Sequence, residues 1–144
     1  MKIRILVVED NPADVMLLRW ALETAELDFE LTVIDDGGDA LAFVQQRGEY
    51  ADAVAPDLAI LDLNLPRNDG LEILQAIRAS QAFTDLTVAI LSSSSSPRER
   101  AKIDAFRVGR YIAKPTDLNE FLKIGFIVKD LLEESGACRR AAAS

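Results

Sequence analysis

Short apolar runs alternate along the chain with longer segments in which apolar residues return every three or four positions. Five runs have strand length: Ile3 to Val8, Phe29 to Ile34, Leu58 to Leu61, Leu86 to Leu91 and Tyr111 to Ala113. The first, third and fourth are nearly continuous and rich in Val, Ile and Leu, as strands covered on both faces should be. Helical periodicity between the runs predicts helices over Ala13–Glu26, Asp39–Arg47, Leu71–Ser80, Pro97–Phe106 and Leu118–Glu134. Strict alternation of strand and helix implies a parallel sheet with helices on both sides. The predicted fold is therefore α/β: a flavodoxin-like, doubly wound, five-stranded sheet in the order 2-1-3-4-5, with five helices in three layers.

One stretch, "AILSSSSSPRERAKI" (89–103), resembles a flexible linker. Its end reads differently. Ser96, Pro97 and Glu99 spell a capping box with proline at the first helical position. Ser96 then starts a helix, Ser92 to Ser95 remain as a strand-to-helix turn, and the chain is not divided there. Asn11, Pro12 and Asp14 repeat the same syntax after the first strand.

Composition narrows the picture further. The 144 residues are 49% apolar, enough for one core, and the expected domain is 1–132 with a short flexible tail, 133–144, and no output domain. No apolar run is long enough to span a bilayer, and "MKIRILVVED" ends in acids rather than a cleavage site. The lone cysteine, Cys138, cannot form an internal disulfide, so a cytoplasmic location is expected. A net charge of −8 argues against nucleic acid as a direct partner. Histidine is absent altogether, which removes Ser–His–Asp and Cys–His nucleophiles, HExxH zinc sites and any phosphohistidine made on this chain.

In a doubly wound sheet the ligand site lies beyond the carboxyl ends of the strands. Glu9 and Asp10 follow the first strand, Asp62 and Asn64 the third, Ser92 and Ser93 the fourth, and Lys114 and Pro115 the fifth. Three carboxylates forced together stay ionised only when a cation shares their site. Oxygen ligands without His or Cys favour Mg²⁺, Mn²⁺ or Ca²⁺. A lysine and a hydroxyl facing the same point suit the oxygens of a phosphoryl group. Singly these signals are ordinary: acids at strand ends cap helices, and a serine after a strand makes a turn. Together, each at the strand end where one site needs it, they point to phosphorylation of an aspartate beside a divalent metal.

The segments "ILVVEDNPAD", "LAILDLNLPRNDGLEIL", "VAILSSS" and "YIAKPTDLNEFL" resemble the receiver domain of two-component response regulators over residues 3 to about 132. The wording is most like stand-alone receivers that partner phytochrome kinases. The resemblance implies that Asp62 is the phosphoacceptor and that Mg²⁺, or Mn²⁺, is held by Asp10, Asp62, Glu9 through water and the Asn64 backbone carbonyl. It implies Ser92 and Lys114 as phosphoryl-binding groups, Ser92 and Tyr111 as the switch pair, and a Lys114–Pro115 bond that is usually cis. "FRVGRY" before the fifth strand, Asn68 and the five serines depart from the family's usual wording.

On this reading a sensor histidine kinase, of phytochrome type by the resemblance, supplies the phosphoryl group, and the protein signals rather than acting as an enzyme. Phosphorylation draws Ser92 inward, Tyr111 fills the space, and the surface of the fourth helix, fifth strand and fifth helix changes for a downstream protein. Two rivals fit less well. A dehalogenase-like phosphatase needs its nucleophile after the first strand and an acid two residues later, where this chain offers Asp62 and then Asn64. A flavodoxin-type FMN carrier cradles phosphate in its first turn, where Glu9 and Asp10 would repel it.

Two apolar clusters remain. Val15, Leu18, Leu22 and Ala25 form the inward stripe of the first helix, leaving Met16, Leu17 and Trp20 as an outward, kinase-facing cluster. On the fifth helix Leu118, Phe121, Leu122, Val128 and Leu132 are expected inward, with Gly125 close to the sheet. Ile124, Ile127 and Leu131 are then a solvent stripe suited to a homodimer.

Overall fold

A computed structural model describes residues 2–63, 65, 70–93 and 97–136. Its elements run β1 (Ile3–Val8), α1 (Pro12–Thr24), β2 (Phe29–Ile34), α2 (Gly37–Val44), a single 3₁₀ turn (Gly48–Tyr50), β3 (Leu58–Asp62), α3 (Gly70–Ala79), β4 (Thr87–Ser92), α4 (Pro97–Asp104), β5 (Arg110–Ala113), α5 (Leu118–Leu122) and α6 (Ile124–Ser135). The last two segments occupy the place of the predicted fifth helix. Lys123 between them keeps right-handed helical angles. The predicted Ser96 cap, Asn64, Asn68 and Cys138 lie outside the described residues.

The sheet is parallel throughout, in the order β2-β1-β3-β4-β5. Because side chains alternate along a strand, β1 sends Leu6 and Val8 to one face and Ile5 and Val7 to the other. The first face packs on α2, α3 and α4 through residues such as Val44, Leu74 and Ile103. The second packs on α1, α5 and α6 through Leu18, Leu22, Phe121 and Val128. Covering on both faces is why β1, β3 and β4 are almost wholly apolar.

Polar side chains close the sheet's two ends. At the amino-terminal end the Arg78 guanidinium, on the last turn of α3, donates to four backbone carbonyls: Leu86 and Phe106 at 2.7 Å, Thr84 at 2.9 Å and Arg107 at 3.1 Å. At the carboxyl end Asn11 caps α1, its side-chain oxygen accepting from the Ala13 amide at 2.9 Å. Proline at the first helical position follows it, as the wording "NP" predicts.

Candidate functional site

The carboxyl ends of β1, β3, β4 and β5 converge because Leu61 and Asp62 pair with Ile90 and Leu91, and Ser92 pairs with Ala113. Asp62 is the last residue of β3 and Ser92 the last of β4; both are buried. The apolar runs end one residue short of these positions, since an acid and a hydroxyl break the hydrophobic pattern while the ladder continues. Opposite Asp62, Gly70 opens α3 so close to the strand end that a Cβ there would stand 2.9 Å from the Leu63 Cα and 3.0 Å from the Asp62 carbonyl.

Glu9 and Asp10 follow β1. Glu9 is buried and Asp10 is exposed. One Glu9 oxygen accepts from the Asn11 amide at 3.1 Å. Carboxylate oxygens of Glu9, Asp10 and Asp62 lie within 4.8 Å of one another. Lys114, directly after β5, reaches into this group: its Nζ donates to Asp62 Oδ2 at 3.1 Å and to Asp14 Oδ2 at 3.0 Å. It also stands 3.0 Å from Glu9 Oε2, an ion pair without hydrogen-bond alignment, so that oxygen is buried with no aligned donor.

The charges shape one another. Burial raises the Glu9 carboxyl, Lys114 opposes the rise and Asp62 adds to it, leaving Glu9 pushed up to about 7. For Lys114, burial favours the neutral amine, but the carboxylates of Glu9, Asp14 and Asp62 around it outweigh that, so the lysine is held above its ordinary range. A buried carboxylate oxygen lacking an aligned donor, beside two further acids and with no His or Cys in the group, fits a hard divalent cation.

Glu9, Asp10, Asp62, Ser92 and Lys114 thus meet at one end of the sheet. Asp14 joins them, although its place in the first turn of α1 marks it only as an acid favourable to the helix dipole. The available signal was its spacing, one helical turn beyond Asp10. Tyr111 lies on β5, half-buried against the core cluster under α4, with the Arg100 guanidinium 5.2 Å from its ring centre. The Lys114–Pro115 bond is trans, contrary to the usual cis form.

Two expectations about helix faces change. Met16 and Trp20 are exposed on α1, at 54% and 47%, but Leu17 is partly buried and packs on the core. On the last helix Phe121, Val128 and Leu132 are buried as expected, but Leu118 is exposed and the expected outward face is not. Ile124 and Leu131 are buried in the core of the same chain and Ile127 packs partly against it, so these three do not form a solvent stripe. Leu118 and Phe126 are the exposed large apolar residues there. The cause is Gly125. A Cβ at that position would run into the Ala21 carbonyl oxygen, so α6 makes its closest approach to α1, not to the sheet. The residues flanking Gly125 are carried inward with it.

A profile described as "Response regulator receiver domain" matches residues 5–125. The response regulator Rcp1 of Synechocystis sp. is 37% identical over 120 residues, covering 83% of this chain and 82% of its own. The phosphorylated cyanobacterial phytochrome response regulator RcpA superposes with a TM-score of 0.84 at 34% identity, covering 92% of this chain and 94% of its own. The Mn²⁺-bound form of Rcp1 superposes with a TM-score of 0.78 at 36% identity, over 85% of this chain and 88% of its own.

Proposed function

Because the chain belongs to the response regulator receiver domain family, and is thus a two-component signalling protein rather than a conventional enzyme, we propose that it accepts a phosphoryl group on Asp62 from a partner histidine kinase. The observation that carries this reading is the burial of Asp62 at a strand end, 3.1 Å from the Lys114 ammonium and beside Glu9 and Asp10.

An Asp62 oxygen attacks the phosphorus of the kinase's phosphohistidine. The new P–O bond forms as the P–N bond breaks, and the histidine nitrogen leaves with the electron pair. Lys114 is fixed beside the nucleophile and offsets negative charge on the transferring oxygens. Mg²⁺, or Mn²⁺, would be held by Glu9, Asp10, Asp62 and the Asn64 carbonyl, and when bound supplies further positive charge facing those oxygens. Ser92, buried at the end of β4, supplies the hydroxyl that engages the product. Tyr111 follows it and alters the surface of α4, β5 and the last helix for a downstream protein. Likeness to Rcp1 and RcpA supports a phytochrome-type kinase as the donor, with this chain acting in the cytoplasm.

Intact-mass measurement after treatment with acetyl phosphate and Mg²⁺ tests the assignment. The wild type gains one phosphoryl group and Asp62→Asn gains none. Equal labelling of the Asn variant removes Asp62 from this role.

A further inference from the structure

We propose that Asp14 is a positioning residue, which anchors Lys114 beside Asp62 both before and after a phosphoryl group arrives there. This deepens the reading above and rests on it. Lys114 carries its ammonium on a flexible four-carbon stem, so the charge stays in place only if other groups hold it. Two aligned hydrogen bonds do so, from different elements. Asp62 Oδ2, at the end of β3, accepts at 3.1 Å, and Asp14 Oδ2, in the first turn of α1, accepts at 3.0 Å. An ammonium has three N–H donors. The third has no aligned acceptor, since Glu9 Oε2 stands near without taking a hydrogen bond. That donor is the one left for a phosphoryl oxygen.

The two anchors differ in what the reaction does to them. Asp62 becomes an acyl phosphate, so its bond to Lys114 belongs to the group that changes. Asp14 takes no part in the bonds made and broken, and its carboxylate is the same on both sides of the transfer. It is also held firmly. The positive end of the α1 dipole favours an acid at this position, and α1 is fixed by the Asn11 cap and by buried Leu18 and Leu22. The negative charge of Asp14 opposes an incoming phosphoryl group, but at 20% exposure water screens it. Anchoring removes in advance the rotamer freedom that the lysine would otherwise lose on engaging that group. Position therefore outweighs repulsion.

Beryllofluoride, which mimics a phosphoryl group on a carboxylate, provides the test. It is titrated at fixed Mg²⁺ into wild type, Asp14→Ala, Asp14→Asn and Asp62→Asn, and binding is followed as a rise in unfolding temperature. Asp14→Ala removes the acceptor and should bind about threefold to fivefold more weakly, as part of the lysine's freedom is restored. Asp14→Asn removes the charge but keeps an acceptor oxygen, and should stay within about twofold of the wild type. With metal absent, the Lys114 ammonium protons, followed by NMR, should exchange with water faster in Asp14→Ala than in the wild type or Asp14→Asn. Undiminished binding by Asp14→Ala, tighter binding by Asp14→Asn, or equal proton exchange in all three overturns the proposal and leaves the Asp62 assignment standing. A response from Asp62→Asn overturns that assignment itself, and this proposal with it.

Discussion

The Arg100 guanidinium of α4 lies 5.2 Å from the centre of the Tyr111 ring on β5. A cation over an aromatic face at an exposed position contributes roughly 0.5–1 kcal/mol. The pair links the helix and strand that carry the proposed output surface. It biases where the ring rests before phosphorylation. Arg100→Ala should shift the balance of Tyr111 ring positions about twofold to fivefold. Ring-proton resonances of the unphosphorylated protein measure that balance, and identical spectra would show that β5 and the core hold the ring unaided.

Gly125 makes a prediction about stability. A methyl group there meets the Ala21 backbone, which cannot yield as a flexible side chain can. Gly125→Ala should destabilise by about 1–3 kcal/mol despite the better helix propensity of alanine. Urea unfolding provides the value. A neutral or stabilising result would mean that α1 and α6 slide apart at no cost.

Glu9 sets a pH dependence whose sign follows from its raised carboxyl. The folded value is about 7 against an ordinary 4.5. Between these values the folded protein keeps a proton that the unfolded chain has lost. Its contribution to stability is thus complete below the unfolded value and disappears as pH rises through about 7. Metal-free melts should show this loss between about pH 5 and pH 8, and Glu9→Gln, which cannot ionise, should flatten it. Mg²⁺ requires the ionised carboxylate, so its affinity should rise across the same window. Melts with chelator and with Mg²⁺ should therefore diverge as pH increases.

Met16 and Trp20 stand one helical turn apart on the open face of α1. Trp20→Ala should slow phosphotransfer from a cognate kinase by about tenfold, as loss of an aromatic anchor does, and leave acetyl phosphate labelling unchanged. Equal slowing with both donors would assign Trp20 to the fold instead of to kinase docking.

How much of this was legible before the structure depended on whether each signal was local. The bounds of β1 and β2 follow from apolar runs that stop at polar residues. β3 and β4 continue into Asp62 and Ser92, since a functional strand end breaks the hydrophobic pattern but not the hydrogen bonding. Glu9, Asp10, Asp62 and Lys114 converge because topology alone brings those strand ends together. Asp14 was read only as a helix-start acid, because nothing local reveals a lysine one hundred residues away. The last helix failed for a different reason. A helical wheel fixes angles within a helix but not its rotation against the body, and Gly125 at the α1 contact sets that rotation.

Arg78 has a consequence for motion. Its four bonds tie the loop before β4 to the loop before β5, through Thr84 and Leu86 on one side and Phe106 and Arg107 on the other. Ser92 and Tyr111 lie on these same two strands, Ser92 at the carboxyl end of β4 and Tyr111 early in β5. The unit of β4, α4 and β5 is therefore a lever clamped at one end. If Ser92 shifts on phosphorylation, as proposed, the displacement should diminish toward Arg78.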